Sequence, residues 1–500
     1  MSSYILVIDQ GTTSSRALIF DQLGNVVSSH ARTFQQHFPK PSWVEHDPVE
    51  IWKTCEECLQ KALADARLTP ADLSSIGITN QRETVVVWDR QSGRPIHNAI
   101  VWQDRRTAGF MDSLKADSDW IRTTTGLPLD AYFSASKIKW LLDHVPGARK
   151  LAENGSLAAG TIDTWLVWNL TRGAEHITDT SNASRTMLCD ITKREWSPRL
   201  LELFNIPHQI LPRIVPTSGV SAYALIDNVK IPIASLVGDQ QAATFGHLAI
   251  SPGTAKNTYG TGCFLMMPTG TTPPQSRNGL LSTIAWTIQG QTTYALEGSC
   301  FIAGAAIEWA IKNLQIAKDV DELNKLAASV DGDGHVVFIP ALAGLGAPVW
   351  DQYARGAFLG MTQATTRAHL ARAIFKGIAC QVVDIVKAAQ SDSSHSTSGA
   401  AFTRLHVDGG VCKSDLLMQL QADLLNSTIV RPHMSELTSQ GAAYLAGLET
   451  GVWKSVDELR SLPESHTTFT PNMLPAMRDR ILALWDRGVS RAKAWEYHAE

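Results

Sequence analysis

Long apolar stretches are missing from this 500-residue chain. The first apolar run, Tyr4–Ile8, stops at Asp9, and no run approaches the ~20 apolar residues that a membrane span needs. The amino terminus shows no basic region or cleavage site of a secretory leader. Excess charge is missing too. Lys and Arg number 44 against 48 Asp and Glu, a formal charge of −4, so there is none of the basic footprint that nucleic acid requires. The seven cysteines are odd in number and scattered from Cys55 to Cys412, which reads as reduced core thiols. Cys55 and Cys58 form a C-x-x-C, but no second one exists to close a zinc site, so the pair reads as one face of a helix. G-x-x-x-x-G-K-S/T, G-x-G-x-x-G, H-E-x-x-H and G-x-S-x-G are all absent, which withdraws support from P-loop, Rossmann, zincin and serine-hydrolase readings. No period of ~20 to 50 residues recurs, which excludes a solenoid. The expectation left standing is a cytoplasmic enzyme that neither inserts in a membrane nor binds nucleic acid.

What is present organises around Tyr4–Asp21, Y-I-L-V-I-D-Q-G-T-T-S-S-R-A-L-I-F-D. Two apolar runs, Tyr4–Ile8 and Ala17–Phe20, flank a polar tip and predict a β-hairpin. Gly11 frees the backbone there, and Thr12, Thr13, Ser14 and Ser15 supply hydroxyls beside backbone N–H groups. Arg16 adds a fixed positive charge. Such a tip can hold phosphate oxygens. Asp9, at the end of a buried strand, can hold Mg²⁺ through water, since that cation prefers oxygen ligands and keeps its hydration shell. Taken alone, the turn is equally a surface hairpin with a polar loop. Recurrence separates the two readings: Tyr259-Gly260-Thr261-Gly262-Cys263-Phe264 is a second glycine- and threonine-rich turn between strands, and Asp408-Gly409-Gly410 ends a third strand.

Length demands at least two domains, and a boundary is expected at Ile250-Ser251-Pro252-Gly253, giving domains 1–249 and 250–500. Asp47-Pro48-Val49-Glu50 predicts a helix start with Asp as the cap, and the helix itself over Ile51–Ala66. Ser75–Thr79 reads as a strand, interrupted by Asn80-Gln81-Arg82-Glu83-Thr84 before Val85–Trp88 resumes. Successive strand side chains point to opposite faces, so Arg82 and Glu83 reach one ligand only if the backbone breaks there; the alternative is a solvated loop pair. Thr161–Leu170 is a further apolar, β-branched run, followed by a polar loop at Thr178–Arg185. A buried strand ending at Gly238 is expected to hand over to a helix, which puts Asp239 near helix N–H groups. In the second half, helices are expected at 303–309, 369–389, 415–425 and 439–448, the last two beneath the Asp408 turn. A serine-rich loop is expected at Ser391–Ser398, and a carboxyl-terminal helix over Met477–Ala499.

The ordered set Asp9–Arg16, Asn80–Thr84, Trp102-Gln103, Tyr132–Trp140, Gly238–Gln241, Lys256–Phe264, Gly344–Pro348 and Asp408–Gly410 resembles the FGGY carbohydrate kinases of the actin-like ATPase superfamily. The likeness runs from about Ile5 to about Gly451. Asn-Gln-Arg-Glu-Thr and Lys-Asn-Thr-Tyr-Gly-Thr-Gly resemble the glycerol-phosphorylating branch most. The resemblance implies an α/β fold of two actin-like (ribonuclease H-like) domains, mixed sheets flanked by helices, with Mg-ATP and glycerol in the interdomain cleft. It implies Asp239 as the general base that takes the proton of a primary hydroxyl. Arg82, Glu83, Tyr132 and Gln240 would hold the hydroxyls, with Trp102 and Phe264 against the carbons. Thr12, Thr13, Ser14, Arg16 and Thr261 would hold phosphates, and Gly304, Glu308, Gly410 and Ser414 would frame the adenosine of ATP. Mg²⁺ would sit near Asp9 and Asp239, and the family habit implies a homodimer or homotetramer. The alternatives are an FGGY kinase for another small polyol or ketose, and an actin-like nucleotide switch without catalysis.

Three positions depart from the family pattern: Glu308 where Gln is expected, Ser414 where Asn is expected, and Lys376 where a carboxylate is usual. Ile226–Ile231 also lacks the Gly/Arg loop through which some members are inhibited by a sugar bisphosphate. Phosphorylation assayed with fructose bisphosphate at cellular concentration should therefore proceed almost uninhibited, and marked inhibition would overturn this expectation.

Overall fold

The computed structural model describes residues 4–330, 334–393 and 401–496. The chain divides into two compact units. The first comprises 1–248, 282–295 and 436–463, and the second 249–281, 296–435 and 464–500. The first cut falls where the sequence places it, but two contiguous domains, 1–249 and 250–500, are not what forms. A hairpin segment and a helix from the second half join the first unit, because that is where their apolar faces and small residues find partners.

In the first unit the sheet runs in the order Leu281–Ile288, Ser218–Ile226, Val229–Gly238, Leu73–Asn80, Tyr4–Gln10, Ser14–Phe20, Val26–Thr33. Its three central strands are parallel, and their apolar residues (Leu6, Ile8, Ile76, Ile78, Ile233 and Leu236) belong to one buried core. Register fixes the functional edge. Gln10 pairs with Asn80 and Gly238 with the same Asn80, so the carboxyl ends of all three strands stand abreast. That is the edge at which parallel α/β sheets take ligands. The strands Ser218–Ile226 and Val229–Gly238 join through Asp227 and Asn228, at φ 48° and 63°. Two residues with positive φ make the tight hairpin turn that matches strand twist, and no longer loop intervenes.

Several elements form for reasons the sequence already carries. The helix Pro48–Ala66 starts with the Asp47 carboxylate accepting from Val49 N–H at 2.8 Å, a cap that contributes about 1 kcal/mol. Cys55 and Cys58 lie buried on one face of it. Other segments differ from expectation. Thr161–Leu170 is not an extended run: Leu157–Thr161 is the strand and Ile162–Leu170 a helix, buried on nearly every side. Periodicity cannot separate a short buried strand from a short buried helix. Thr178–Arg185 is no solvated loop. It forms the end of a strand, Ile177–Asp179, and one helical turn, Thr180–Ala183, with every side chain buried. Its polar groups are bonded to one another and to neighbouring strands, which makes their burial tolerable.

The second unit has the strand order His466–Phe469, Thr428–Pro432, Arg404–Asp408, Thr254–Tyr259, Cys263–Gly270. Thr254–Tyr259 is parallel to Arg404–Asp408, with Thr258 opposite Asp408, so this unit too collects its turns at one carboxyl edge. The helix Arg367–Ser393 supplies Phe375, Ile378 and Val382 to its core. The end of the expected serine-rich loop, residues 394–398, lies outside the described residues, and Ser391–Ser393 close the helix. The carboxyl-terminal helix, Pro475–Ala492, anchors through Trp485 Nε1–H to Asp384 Oδ2 at 2.7 Å. Among the described residues no helix is long and apolar enough to cross a membrane.

The helix Leu437–Thr450, expected beneath the Asp408 turn, is grouped with the first unit. It packs in the first unit against the helix Asp239–Gly246. The contact is between backbones: a Cβ on Gly441 would lie 1.9 Å from the Ala242 carbonyl oxygen, and one on Gly246 would lie 2.0 Å from that of Leu437. Gly441→Ala should destabilise the fold by about 3 kcal/mol, the upper part of the usual overpacking range, since the added Cβ meets backbone. Urea unfolding should show the midpoint falling, and an unchanged midpoint would refute the close-packing account.

Candidate active site

At the functional edge of the first unit, the hairpin tip is shorter than its polar residues suggest. The second strand already starts at Ser14, and Gly11 N–H closes the turn on the Ser14 carbonyl at 2.9 Å. Thr13 is exposed at the tip, while Ser15 points inward to Thr54 Oγ1 at 2.9 Å. Behind the tip runs a chain of neutral hydrogen bonds. Trp102 Nε1–H donates to Thr12 Oγ1 at 3.0 Å, Gln36 Nε2–H to the Thr12 carbonyl at 3.0 Å, and His46 Nε2 meets Gln36 Oε1 at 2.6 Å. Asp9 lies beneath, accepting from Ser439 Oγ at 2.9 Å. Burial raises its pKa, opposed by the Arg16 charge. Arg16 is itself paired with Glu436 at 2.9 Å.

The break expected between Arg82 and Glu83 is present. Thr84 N–H closes a three-residue turn on the Arg82 carbonyl at 2.7 Å, with Glu83 at its centre and φ at 62°. Positive φ is uncommon for a residue bearing a Cβ, and such tight turns are rare and strained. The turn lets both side chains turn inward. Arg82 Nε lies 3.9 Å from Glu83 Oε1 and 3.3 Å from Asp239 Oδ1, and Arg82 Nη1–H donates to Gln241 Oε1 at 3.2 Å. Gly238 is needed for this approach, since a Cβ there would meet Arg82 Cδ at 2.7 Å. The side chains of Arg82 and Glu83 are 2 % and 1 % exposed, that of Asp239 33 %, so Asp239 is the member of the cluster open to solvent. Asp239 begins the helix Asp239–Gly246, and Gln240 N–H donates to its Oδ1 at 2.7 Å. Trp102 and Tyr132 meet edge to face at 5.5 Å, both half-buried.

Two supporting residues carry no signal in the sequence reading. Lys137 is fully buried and its ammonium donates to the carbonyls of Ala131, Tyr132 and Phe133 at 2.5, 2.7 and 3.1 Å, fixing the segment that presents Tyr132. Burial lowers its pKa to about 7. Arg185 donates through Nε–H to Glu83 Oε1 at 2.7 Å, both groups being buried. Removing one partner of such a pair costs about 3–5 kcal/mol, because a buried charge is left uncompensated.

In the second unit the turn Gly260–Gly262 is locked to the start of the helix Gly304–Lys312: Ala303 N–H donates to the Thr261 carbonyl at 2.8 Å and Gly304 N–H to that of Gly260 at 2.9 Å. Thr261 is exposed at this tip, and Phe264 is half-buried on the strand that leaves it. The same helix opens a cavity of about 990 Å³ lined by Gly304, Ile307, Glu308, Gly410, Val411 and Ser414. All four residues expected to frame an adenosine therefore line one cavity. Glu308 pairs with Lys312 one helical turn on. Ser414 caps the helix Asp415–Leu425, accepting from Leu417 N–H at 3.2 Å, and its Oγ donates to Asn324. Lys376 is not among the lining residues. It donates to the Val336 carbonyl at 2.8 Å, and burial lowers its pKa to about 8.

The two α/β units, each with hydroxyl- and glycine-rich turns at strand ends, have the fold of the FGGY kinases, the actin-like ATPase fold. Residues 4–246 match the N-terminal domain of the FGGY family of carbohydrate kinases, and residues 255–450 its C-terminal domain. The chain belongs to this family. It is 51 % identical over 497 residues to glycerol kinase 2 of Thermotoga maritima and 50 % identical over 499 residues to the glycerol kinase of Dichelobacter nodosus, covering 99 % of each pair of chains. Among solved structures, Plasmodium falciparum glycerol kinase with ADP superposes with a TM-score of 0.93 at 36 % identity, covering 98 % of both chains. A gluconate kinase from Lactobacillus acidophilus shares the fold, with a TM-score of 0.86 at 21 % identity over 98 % of both chains.

The chain of bonds behind Thr12 makes a pH prediction. Burial, with His37 adding to it, pushes the His46 imidazole from 6.5 down to about 4. The unfolded chain therefore takes up this proton first as pH falls, so the stability His46 contributes is present above about pH 6.5 and is lost progressively towards pH 4. In His46→Gln this slope should vanish. Urea unfolding at about pH 7 and about pH 4.5 should show a smaller loss of stability on acidification in the variant. Equal losses would show that His46 is not held neutral.

Proposed function

We propose that this protein transfers the γ-phosphoryl group of ATP to a primary hydroxyl of glycerol, giving sn-glycerol 3-phosphate. The observation that carries the reading is full-length identity near 50 % to glycerol kinases, in a chain that sets the solvent-open carboxylate of Asp239 beside Arg82. Phosphoryl transfer asks little covalent chemistry of the protein; it needs alignment, neutralisation of phosphate charge and an acceptor for the hydroxyl proton.

Glycerol is uncharged, so it is gripped by hydrogen bonds. Arg82 supplies donors, Glu83 acceptors, and Tyr132 and Gln240 both, while Trp102 and Phe264 give its carbons apolar surface. Asp239 takes the proton of the attacking hydroxyl. A carboxylate suffices, because the alcohol loses that proton late in the transfer and the base need only be close and aligned. The hydroxyls and N–H groups of Thr12, Thr13, Ser14 and Thr261, with the charge of Arg16, hold phosphate oxygens, and the cavity at Gly304, Glu308, Gly410 and Ser414 takes the adenosine.

Asp9 and Asp239 offer oxygen ligands of the kind Mg²⁺ takes through water, and the depth of Asp9 beneath the hydroxyl tip suits a cation shared with phosphate oxygens. When bound, the ion would neutralise charge on the transferring group.

ADP release that depends on added glycerol tests the function directly. Asp239→Asn should lower kcat by about 10²-fold or more while nucleotide binding, followed by calorimetry, stays close to wild type. A variant that kept most of its turnover would remove Asp239 from the base role, and ATP turnover indifferent to glycerol would remove the substrate.

A further inference from the structure

The segment Asp179–Arg185 is polar at six of its seven positions, yet Asp179, Ser181, Asn182, Ser184 and Arg185 are each fully buried. At its root, the Asp179 carboxylate gathers five donors: Ser181 N–H at 2.8 Å, Asn182 N–H, Ser181 Oγ–H and Asn182 Nδ2–H at 2.9 Å, and Thr217 Oγ1–H at 2.7 Å. This rigid turn passes its contacts outward to three places. Ser181 Oγ accepts from Gly238 N–H at 3.0 Å, directly before Asp239. The Asn182 amide exchanges reciprocal bonds of 3.0 and 3.1 Å with the amide of Asn80, two residues before Arg82. Arg185 holds the carboxylate of Glu83, the residue at φ 62° in the tight turn. A buried network of this density is tolerated only when its members are bonded, and here the bonds run to the two strand ends and the turn that carry the acceptor cluster.

We infer that Asp179–Arg185 is a positioning frame for the acceptor site. Ser181 and Asn182 set the backbone from which Asp239 and Arg82 project, and Arg185 keeps the Glu83 carboxylate aimed as a hydroxyl acceptor. The frame acts on the alcohol and leaves the nucleotide alone, because the contacts it sends towards the site run to Asn80, the Arg82–Glu83 turn and Gly238. This inference rests on the reading of that cluster as the glycerol site.

The test is steady-state kinetics on the full-length protein with glycerol and ATP varied separately, for Arg185→Gln, Arg185→Lys and Ser181→Ala. A misplacement of about 1 Å in a reacting group costs roughly 10²-fold, so Arg185→Gln should raise the glycerol KM by about 10- to 100-fold with the ATP KM within about twofold. Arg185→Lys keeps the charge without the planar fork and should recover part of the loss. Ser181→Ala should lower kcat by about tenfold through Asp239, again with the ATP KM little changed. Thermal melts separate these effects from unfolding. If Arg185→Gln does not fold, the other two variants decide. Unchanged glycerol KM and kcat, or equal rises in both KM values, would overturn the frame. Wild-type enzyme that releases no ADP with glycerol would remove the glycerol reading and the frame with it, whereas an active wild type with indifferent variants would remove the frame alone.

Discussion

The register of three parallel strands is the constraint on which the first unit depends. With Gln10, Asn80 and Gly238 abreast, everything that follows them in the chain emerges at one edge: the hydroxyl tip after Gln10, the Arg82–Glu83 turn after Asn80 and the Asp239 helix after Gly238. A slip of one residue in any of these strands would send its apolar side chains to the opposite face and carry the functional residue with them. The buried Ile and Leu residues of the three strands thus hold the site in place as well as stabilising the fold.

Around this edge the protein accepts local costs that packing alone would not require. Glu83 sits in the left-handed region without being glycine, Lys137 is an ammonium sealed against three carbonyls, and Asp179 is a carboxylate surrounded by donors below the surface. Burial pushes the Asp179 pKa up while its donors pull it down. Each is tolerable because its partners are themselves fixed, so strain and desolvation are offset by hydrogen bonds that also set direction. The price is sensitivity: each such group depends on the partners that hold it.

The second unit solves a different problem. Its turn Gly260–Gly262 is bonded to the start of the helix Gly304–Lys312, and that helix, with the Gly410 turn and the cap at Ser414, walls a roomy cavity. The departures at Glu308 and Ser414 fall at its lining, one in an ion pair along the helix and one in a helix cap, while Lys376 serves a buried carbonyl away from it. On the proposed reading of this cavity as the adenosine site, the two departures at its lining would bear on base recognition.

Much was legible in the chain itself. Apolar and β-branched runs marked the strands, Asp47-Pro48 marked a helix start, and the strand-end positions of Asp9, Asp239 and Asp408 followed from runs that stop at a carboxylate, because local patterns report local geometry. Periods and turn residues say nothing, however, about partners hundreds of residues away. Only the tertiary structure decided that Leu437–Thr450 belongs with the first unit through facing glycines, that Thr178–Arg185 is interior, and that Arg185 meets Glu83. A polar run reads as solvated until its hydrogen-bond partners are known, and those partners, contributed by Thr217, Gly238, Asn80 and Glu83, are brought to it only by the folding of the sheet.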